Sequence, residues 1–212
     1  MLLASLFIAA YLVGSIPFGY LVAKAKGIDI LHFGSGNIGA TNVHRALGKW
    51  LGLLVFVLDV LKGLVPAAVA FWITKNQVYA FVVGMGAVTG HCLSPFLKFK
   101  GGKGISTGLG ALLGSCPLVA LCAFAIFFLS MLLNRYVSLS SLVAATALVP
   151  LGFLFGYPAF LLWALGLLAV FVFYRHRANI KRLLNGTEPK FTMTRSTPPA
   201  ESVAQPASLQ LK

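Results

Sequence analysis

The chain has 212 residues, of which 58% are hydrophobic and only 10% charged, and its mean hydropathy is +0.90. No soluble domain of that length hides so much apolar surface. The composition therefore excludes a cytosolic globular enzyme and implies an all-α, polytopic membrane protein without a separate soluble domain. The 17 Lys and Arg residues outnumber 4 Asp and Glu, a net charge of +13; basic residues beside apolar spans mark the cytoplasmic side and favour anionic lipid or anionic substrate.

In chain order, residues 2–23 form a first apolar span, long enough to cross ~30 Å of hydrocarbon at about 1.5 Å per residue. It has no basic leader and no small-residue cleavage site, so it reads as a retained span. Gly14-Ser15-Ile16-Pro17-Phe18-Gly19 interrupts it; proline inside a membrane helix frees a carbonyl, which predicts a kink facing the bundle interior. Residues 24–49 read as a polar loop. The second span, 50–73, carries Asp59 and Lys62, three apart and so on one helix face. That pair reads either as a proton or ion path or, better, as a neutralised pair bracing the cytoplasmic half. A short turn leads to a third span, 78–94, and then to Phe99-Lys100-Gly101-Gly102-Lys103-Gly104. Residues 106–133 are too long for one span and break at Ser115-Cys116-Pro117. Spans 139–155 and 159–174 follow, then a basic segment, 175–190. One transmembrane domain covers 1–191, and the Ser/Thr/Pro-rich residues 192–212 read as a disordered tail.

The basic loops 24–49, 98–103 and 175–190 all belong in the cytoplasm by the positive-inside rule. The chain then crosses an even number of times between the second and the third. Four crossings, with 106–133 as two short helices, give about seven transmembrane helices, the N-terminus periplasmic and the C-terminus cytoplasmic. Two crossings give five spans, the alternative, but would fuse 139–174 despite Gly156 and Pro158.

Several constellations could carry chemistry. Gly34-Ser35-Gly36-Asn37-Ile38-Gly39 matches G-x-G-x-x-G with Asp59 twenty residues on, yet a dinucleotide site needs a βαβ unit, and Asp59 sits in a membrane span. Read with Thr41, Asn42 and Arg45, the loop offers N–H groups, hydroxyls and a guanidinium to phosphate or carboxylate oxygens; as a solvated turn it would only meet headgroups. In the Gly101–Gly104 loop, successive N–H groups before a helix, with a mobile Lys103, suit a phosphate. By itself that loop equally reads as a basic connection. It is no Walker A loop, because Gly104 stands where Ser or Thr should follow the lysine. His91 precedes it, as ligand contact or helix end. His176 and Asn179 share a face among Arg175, Arg177 and Arg182. No histidine has Asp five residues on, and 4 acids leave little scope for a carboxylate dyad or a metal site. Cys92, Cys116 and Cys122 lack metal-ligand spacing and read as buried free thiols.

Three ordered motifs together resemble the PlsY-type bacterial acyl-phosphate:glycerol-3-phosphate acyltransferases. They are Ser35-Gly-Asn-Ile-Gly-Ala-Thr-Asn42-x-x-Arg45; Gly90-His91 leading to Phe99-Lys-Gly-Gly-Lys-Gly104; and His176-Arg-x-Asn-Ile-x-Arg-Leu183 with Gly186-Thr-Glu188. The first-span Gly-Ser-Ile-Pro-x-Gly also fits, and the similarity covers residues 2–190. One departure is Leu93-Ser94-Pro95, where the family usually has an aromatic residue. The resemblance implies acyl transfer from a fatty acyl phosphate to the 1-hydroxyl of glycerol-3-phosphate, giving lysophosphatidic acid and phosphate, the first step of bacterial phospholipid synthesis. It implies catalytic roles for His176, Asn179 and Ser35. Phosphate binding falls to Gly36, Asn37, Thr41, Asn42, Arg45, His91, Lys100, Gly101, Gly102, Lys103, Gly104, Ser106 and Thr107. Asp59, Lys62 and Glu188 are structural. It further implies no metal, no cofactor, no nucleic acid, membrane lipid around a monomer, and an active site on the cytoplasmic side of the bacterial inner membrane. An acyl phosphate is already activated, so the donor's own phosphate is expected to take the hydroxyl proton while His176 and Asn179 orient substrate, with the neighbouring arginines depressing the basicity of His176. Two other classes fit the composition alone, an organic-phosphate transporter and a lipid-binding membrane scaffold.

Overall fold

The computed structural model describes residues 1–192, which are helical and loop with no strand. The tail read as disordered therefore lies, from residue 193 on, outside the described residues. The helices are α1 (Leu2–Gly14), α2 (Phe18–Ala25), α3 (Ala40–Leu47), α4 (Lys49–Thr74), α5 (Gln77–Cys92), α6 (Ile105–Ser115), α7 (Pro117–Asn134), α8 (Val137–Leu154), α9 (Ala159–Arg175) and α10 (Arg177–Leu184). Among the described residues, five elements are long and apolar enough to cross a membrane: α1 with α2, α4, α5 with the 3-10 turn after it, α7 and α8. The α9–α10 pair qualifies only when counted together, bent by 59°. The protein is thus a multi-pass membrane protein.

The breaks sit where backbone chemistry requires them. Pro17 separates α1 from α2, and the carbonyl of Ile16 next to it accepts from Lys62 Nζ at 2.9 Å. That nitrogen lies 2.7 Å from Asp59 Oδ1, with both side chains 2% exposed. The pair therefore closes the gap that the kink opens, joining the first span to α4. Pro117 opens α7, where its missing N–H costs nothing. The segment 106–133 breaks there as expected, but unequally: α7 has 18 residues and α6 only 11, about 16 Å of rise.

Small residues let the helices approach closely, as packing in lipid favours. A Cβ on Gly110 of α6 would overlap the Val60 carbonyl of α4, and one on Gly63 would overlap the Thr107 carbonyl. α1 meets α5 the same way, through Gly14 against Ala87 and Gly90 against Tyr11. A second packed group, including Phe81, Leu112, Val119, Leu142, Leu161 and Leu165, joins α5 through α9.

Residues 24–49 are not the plain polar loop that their charges suggest. Ile28, Ile30, Phe33, Ile38, Val43 and Ala46 bury themselves against Ala23 and Val55, building a small core outside the spans. α3 is the helical part of it. Lys24, Lys26 and Lys49 stay exposed around it.

Candidate active site

All three motifs converge on one cavity. The first enters through the loop before α3. Asn42, 2% exposed, donates to the carbonyls of Ile30 (3.3 Å) and Phe33 (2.9 Å) and accepts from the Ser35 N–H (3.2 Å). Its side chain, expected at the phosphate site, lines the cavity, and these bonds also hold the loop in shape. Asn37 accepts from the Gly39 N–H at 2.9 Å. Gly36 takes a left-handed φ of 65° at the bend. The loop so braced presents Ser35, Asn37, Thr41 and Arg45 to the cavity.

The glycine-lysine loop supplies the second side, by a different device from the one its sequence suggests. The N–H groups of Gly101 and Gly102 donate to the carbonyls of Cys92 and His91, both at 3.1 Å, so they do not form the expected anion-binding concavity. The carbonyls of Gly101 and Gly102 accept from Arg175. A Cβ on Gly102 would strike the His91 ring. These glycines serve close packing on His91, itself 4% exposed, whose Nδ1 lies 3.7 Å from Asp59 Oδ1. Asp59 is thus a spatial neighbour of a histidine that sequence spacing did not pair with any acid. Lys100 is exposed and off the cavity, and Thr107 is fully buried with its hydroxyl unpartnered. What reaches the cavity is His91 with its neighbour Asp59, Lys103, Gly104 and the start of α6 with Ser106. Gly104, at φ 81°, turns the chain into that helix.

α9 and α10 complete the polar end. The Lys103 ammonium donates to Asn179 Oδ1. Asn179 Nδ2 donates to Glu188 at 2.7 Å, so the glutamate fixes which way the amide faces. Glu188 also accepts from Ser138 (2.6 Å) and Arg182 (2.7 Å). Burial alone would push its carboxyl up; the bonds from Ser138, Asn179 and Arg182 outweigh that and hold it below the ordinary value. His176, just past the last residue of α9, is 2% exposed, and its Nδ1 meets the Val172 carbonyl at 2.8 Å. A carbonyl only accepts, so Nδ1 carries the proton and Nε2 keeps its lone pair. Burial, followed by the Lys103 charge, pushes this imidazole down to about 4, against the pull of the Val172 carbonyl and Glu188. The flanking arginines are not the main cause that their sequence position suggests. Arg175 reaches away to the glycine loop, and Arg177 is exposed and bonded to the Tyr174 carbonyl.

Cations dominate this end. Burial, countered by Glu188 but reinforced by Arg182, Arg45 and Arg175, lowers the Lys103 ammonium to about 8. Burial likewise lowers Arg45 from its usual value. From here the cavity continues between α6, α7, α8 and α9 as an apolar groove past Leu109, Phe127, Ala123 and Ala145 to Leu112, Ala120, Leu148 and Leu168. Cys116, Leu161 and Leu165, all fully buried, pack beyond it. Ser138 and Leu148 of α8 mark its ends, about 15 Å apart along the helix.

Sequence reading missed Ser138 and the segment after Glu188. Ser138 lies in a serine-rich helix start that resembles any other, and only the fold brings Glu188 to it.

A family model described as glycerol-3-phosphate acyltransferase matches residues 4–186. Proteins named glycerol-3-phosphate acyltransferase are similar along nearly their whole length. The one from Bacillus subtilis is 47% identical over 90% of this chain and 98% of its own. The one from Aquifex aeolicus is 47% identical over 88% and 97%. The fold superposes on a crystal structure of PlsY (YgiH), an integral membrane glycerol 3-phosphate acyltransferase, in its glycerol 3-phosphate form. That match has a TM-score of 0.86 and 44% identity, and covers 91% of this chain and 96% of that one. The lysophosphatidic acid form of the same enzyme matches with a TM-score of 0.83. The chain belongs to the glycerol-3-phosphate acyltransferase family.

Proposed function

We propose that the protein transfers a fatty acyl group from an acyl phosphate to the 1-hydroxyl of glycerol 3-phosphate, releasing lysophosphatidic acid and inorganic phosphate. The observation that carries this reading is the single cavity itself. Its polar end gathers Arg45, Lys103 and Arg182 around Glu188, with Asp59 and His91 also in the lining, and its other end is an apolar groove between membrane helices. Phosphate groups neutralise the first, and an acyl chain fills the second. A transporter would instead place its polar residues near the midplane between two gates. The relatives' shared name, and a related structure holding glycerol 3-phosphate, support the acceptor.

The chemistry needs positioning more than a strong base. The glycerol hydroxyl oxygen attacks the acyl carbon, the carbon–oxygen bond to phosphate breaks, and the hydroxyl proton leaves on the departing phosphate. Nε2 of His176 accepts a hydrogen bond from that hydroxyl and orients it. An imidazole held near 4 is a poorer proton acceptor than a phosphate whose second ionisation lies near ~6. Lys103, Arg45 and the N–H groups opening α6 stabilise charge on phosphate and acyl oxygens. Ser35, which also lines the cavity, contributes a further hydroxyl contact.

Seven crossings suit the packing. α6 runs away from the site and α7 returns to it, since Ile105 lines the cavity and the Arg135 carbonyl accepts from Phe191. With basic residues around the site, this end faces the cytoplasm and the N-terminus the periplasm. Cysteine labelling at position 100 from the periplasmic side would overturn that orientation. The function is tested by phosphate release from a synthetic acyl phosphate by purified protein. Release should depend on glycerol 3-phosphate and yield lysophosphatidic acid; release without acceptor, or none, refutes the reading.

A further inference from the structure

The segment after Glu188 does more than follow α10. Its near end is tied to α10, where the Thr187 and Glu188 N–H groups donate to the Arg182 carbonyl. Its far end crosses to two other elements. The Phe191 N–H donates to the Arg135 carbonyl in the α7–α8 turn at 2.7 Å, and Lys190 lies over the Tyr136 ring at 5.6 Å. The Phe191 ring stacks on His44 of α3, with centroids 4.9 Å apart and planes 26° apart. His44 Nε2 lies 2.9 Å from the Thr192 carbonyl and so carries the proton there. Between these anchors sits Pro189, whose carbonyl accepts from Arg45 at 3.2 Å.

Arg45 and His44 are neighbours on α3 but face different tasks. The guanidinium reaches into a cavity crowded with other cations. Burial there disfavours the charged guanidinium more than Glu188 attracts it, so the outward, hydrated rotamers compete, and a long side chain has many. The Pro189 carbonyl opposes that drift. Proline's ring fixes φ and stiffens the strap, but its carbonyl still turns with ψ. That carbonyl stays put only while the strap is pinned on both sides.

We infer that Phe191 and His44 form a latch that positions Arg45 for phosphate, through the strap carbonyl of Pro189. This rests on the acyltransferase reading for its kinetic readout, but phosphate binding alone can also report it. Neither latch residue touches substrate; they are positioning residues.

The test compares Phe191→Ala, Phe191→Tyr and His44→Ala in purified full-length protein. Phe191→Ala and His44→Ala should raise KM for one phosphate-bearing substrate at least fivefold, with kcat within twofold of wild type. They should raise by a similar factor the concentration of glycerol 3-phosphate or inorganic phosphate needed for a given thermal shift. Phe191→Tyr, which keeps the ring, should restore both. In an Arg45→Lys background, Phe191→Ala should add nothing further, because the group that it positions is gone. Unchanged KM for both substrates and an unchanged thermal shift would overturn the latch. So would a fall in kcat and melting temperature with KM intact, which is the mark of a merely structural contact. Should Phe191→Ala not fold, His44→Ala and Phe191→Leu make the same comparison. Inactive wild-type protein would instead count against the acyltransferase reading, and its thermal shift would still decide the latch.

Discussion

Removing one charge from the Asp59–Lys62 pair should harm the protein more than removing both. The two side chains are 2% exposed and 2.7 Å apart, which at an effective dielectric of about 20 is worth about 6 kcal/mol of attraction. Asp59→Leu strands the Lys62 ammonium among apolar residues, and such single breaks cost about 3–5 kcal/mol. Asp59→Leu with Lys62→Met removes the stranded charge. It leaves the Ile16 carbonyl without its lysine donor, but the Phe18 N–H still reaches that oxygen at 3.1 Å, so the remaining loss is about 1 kcal/mol. At about 2–4 °C per kcal/mol for a chain of this length, the single variant should melt about 10 °C below wild type. The double variant should recover most of that in detergent thermal melts. If the double variant melts lower than the single one, the residues do not neutralise each other and the bracing argument fails.

Three further outcomes follow from the site. Lys103→Met should raise KM for a phosphate substrate about tenfold or more, the loss of one charged hydrogen bond of ~1.5–3 kcal/mol. In wild type that KM should climb as pH passes about 8, where the ammonium discharges. Because the fold lowers this group below its ordinary 10.5, the folded chain holds fewer protons than the unfolded one between those values; ligand-free stability should rise across that window, and less so in Lys103→Met. His176→Gln should keep measurable turnover with a pH profile tracking the phosphate; a folded, substrate-binding variant that is inactive at every pH would make His176 the base. Glu188→Gln should lower both stability and activity at pH 7. The Glu188 carboxyl is held below the ordinary 4.5, so its contribution is present above that value and is lost as pH falls through the depressed one, and an acid melt should bring wild type down toward the variant.

What the chain announces by itself is its solvent and its chemistry. Apolar runs of membrane length can only be helices in lipid, because every backbone group must be satisfied within its own segment. Clustered Lys, Arg and Gly between such runs already point to phosphate, and the proline breaks at 17 and 117 fall where the structure bends. The charged pair in α4 was legible too, since spacing of three and the cost of lone charges in lipid leave few options.

Tertiary structure decided which polar atoms are free. Asn42, Gly101 and Gly102 carry the right groups for phosphate, but carbonyls nine to twelve residues back take up their N–H groups, while Lys103, Arg45 and the start of α6 line the cavity. His176 owes its weak basicity mainly to burial rather than to the arginines beside it. Residues 24–49 hid a core because their apolar side chains are spaced irregularly among charges and meet only when the loop folds back on α4. Ser138, His44 and Phe191 enter the site's support through contacts 50, 148 and 147 residues long. No local pattern marks such contacts, because they exist only once the helices have packed.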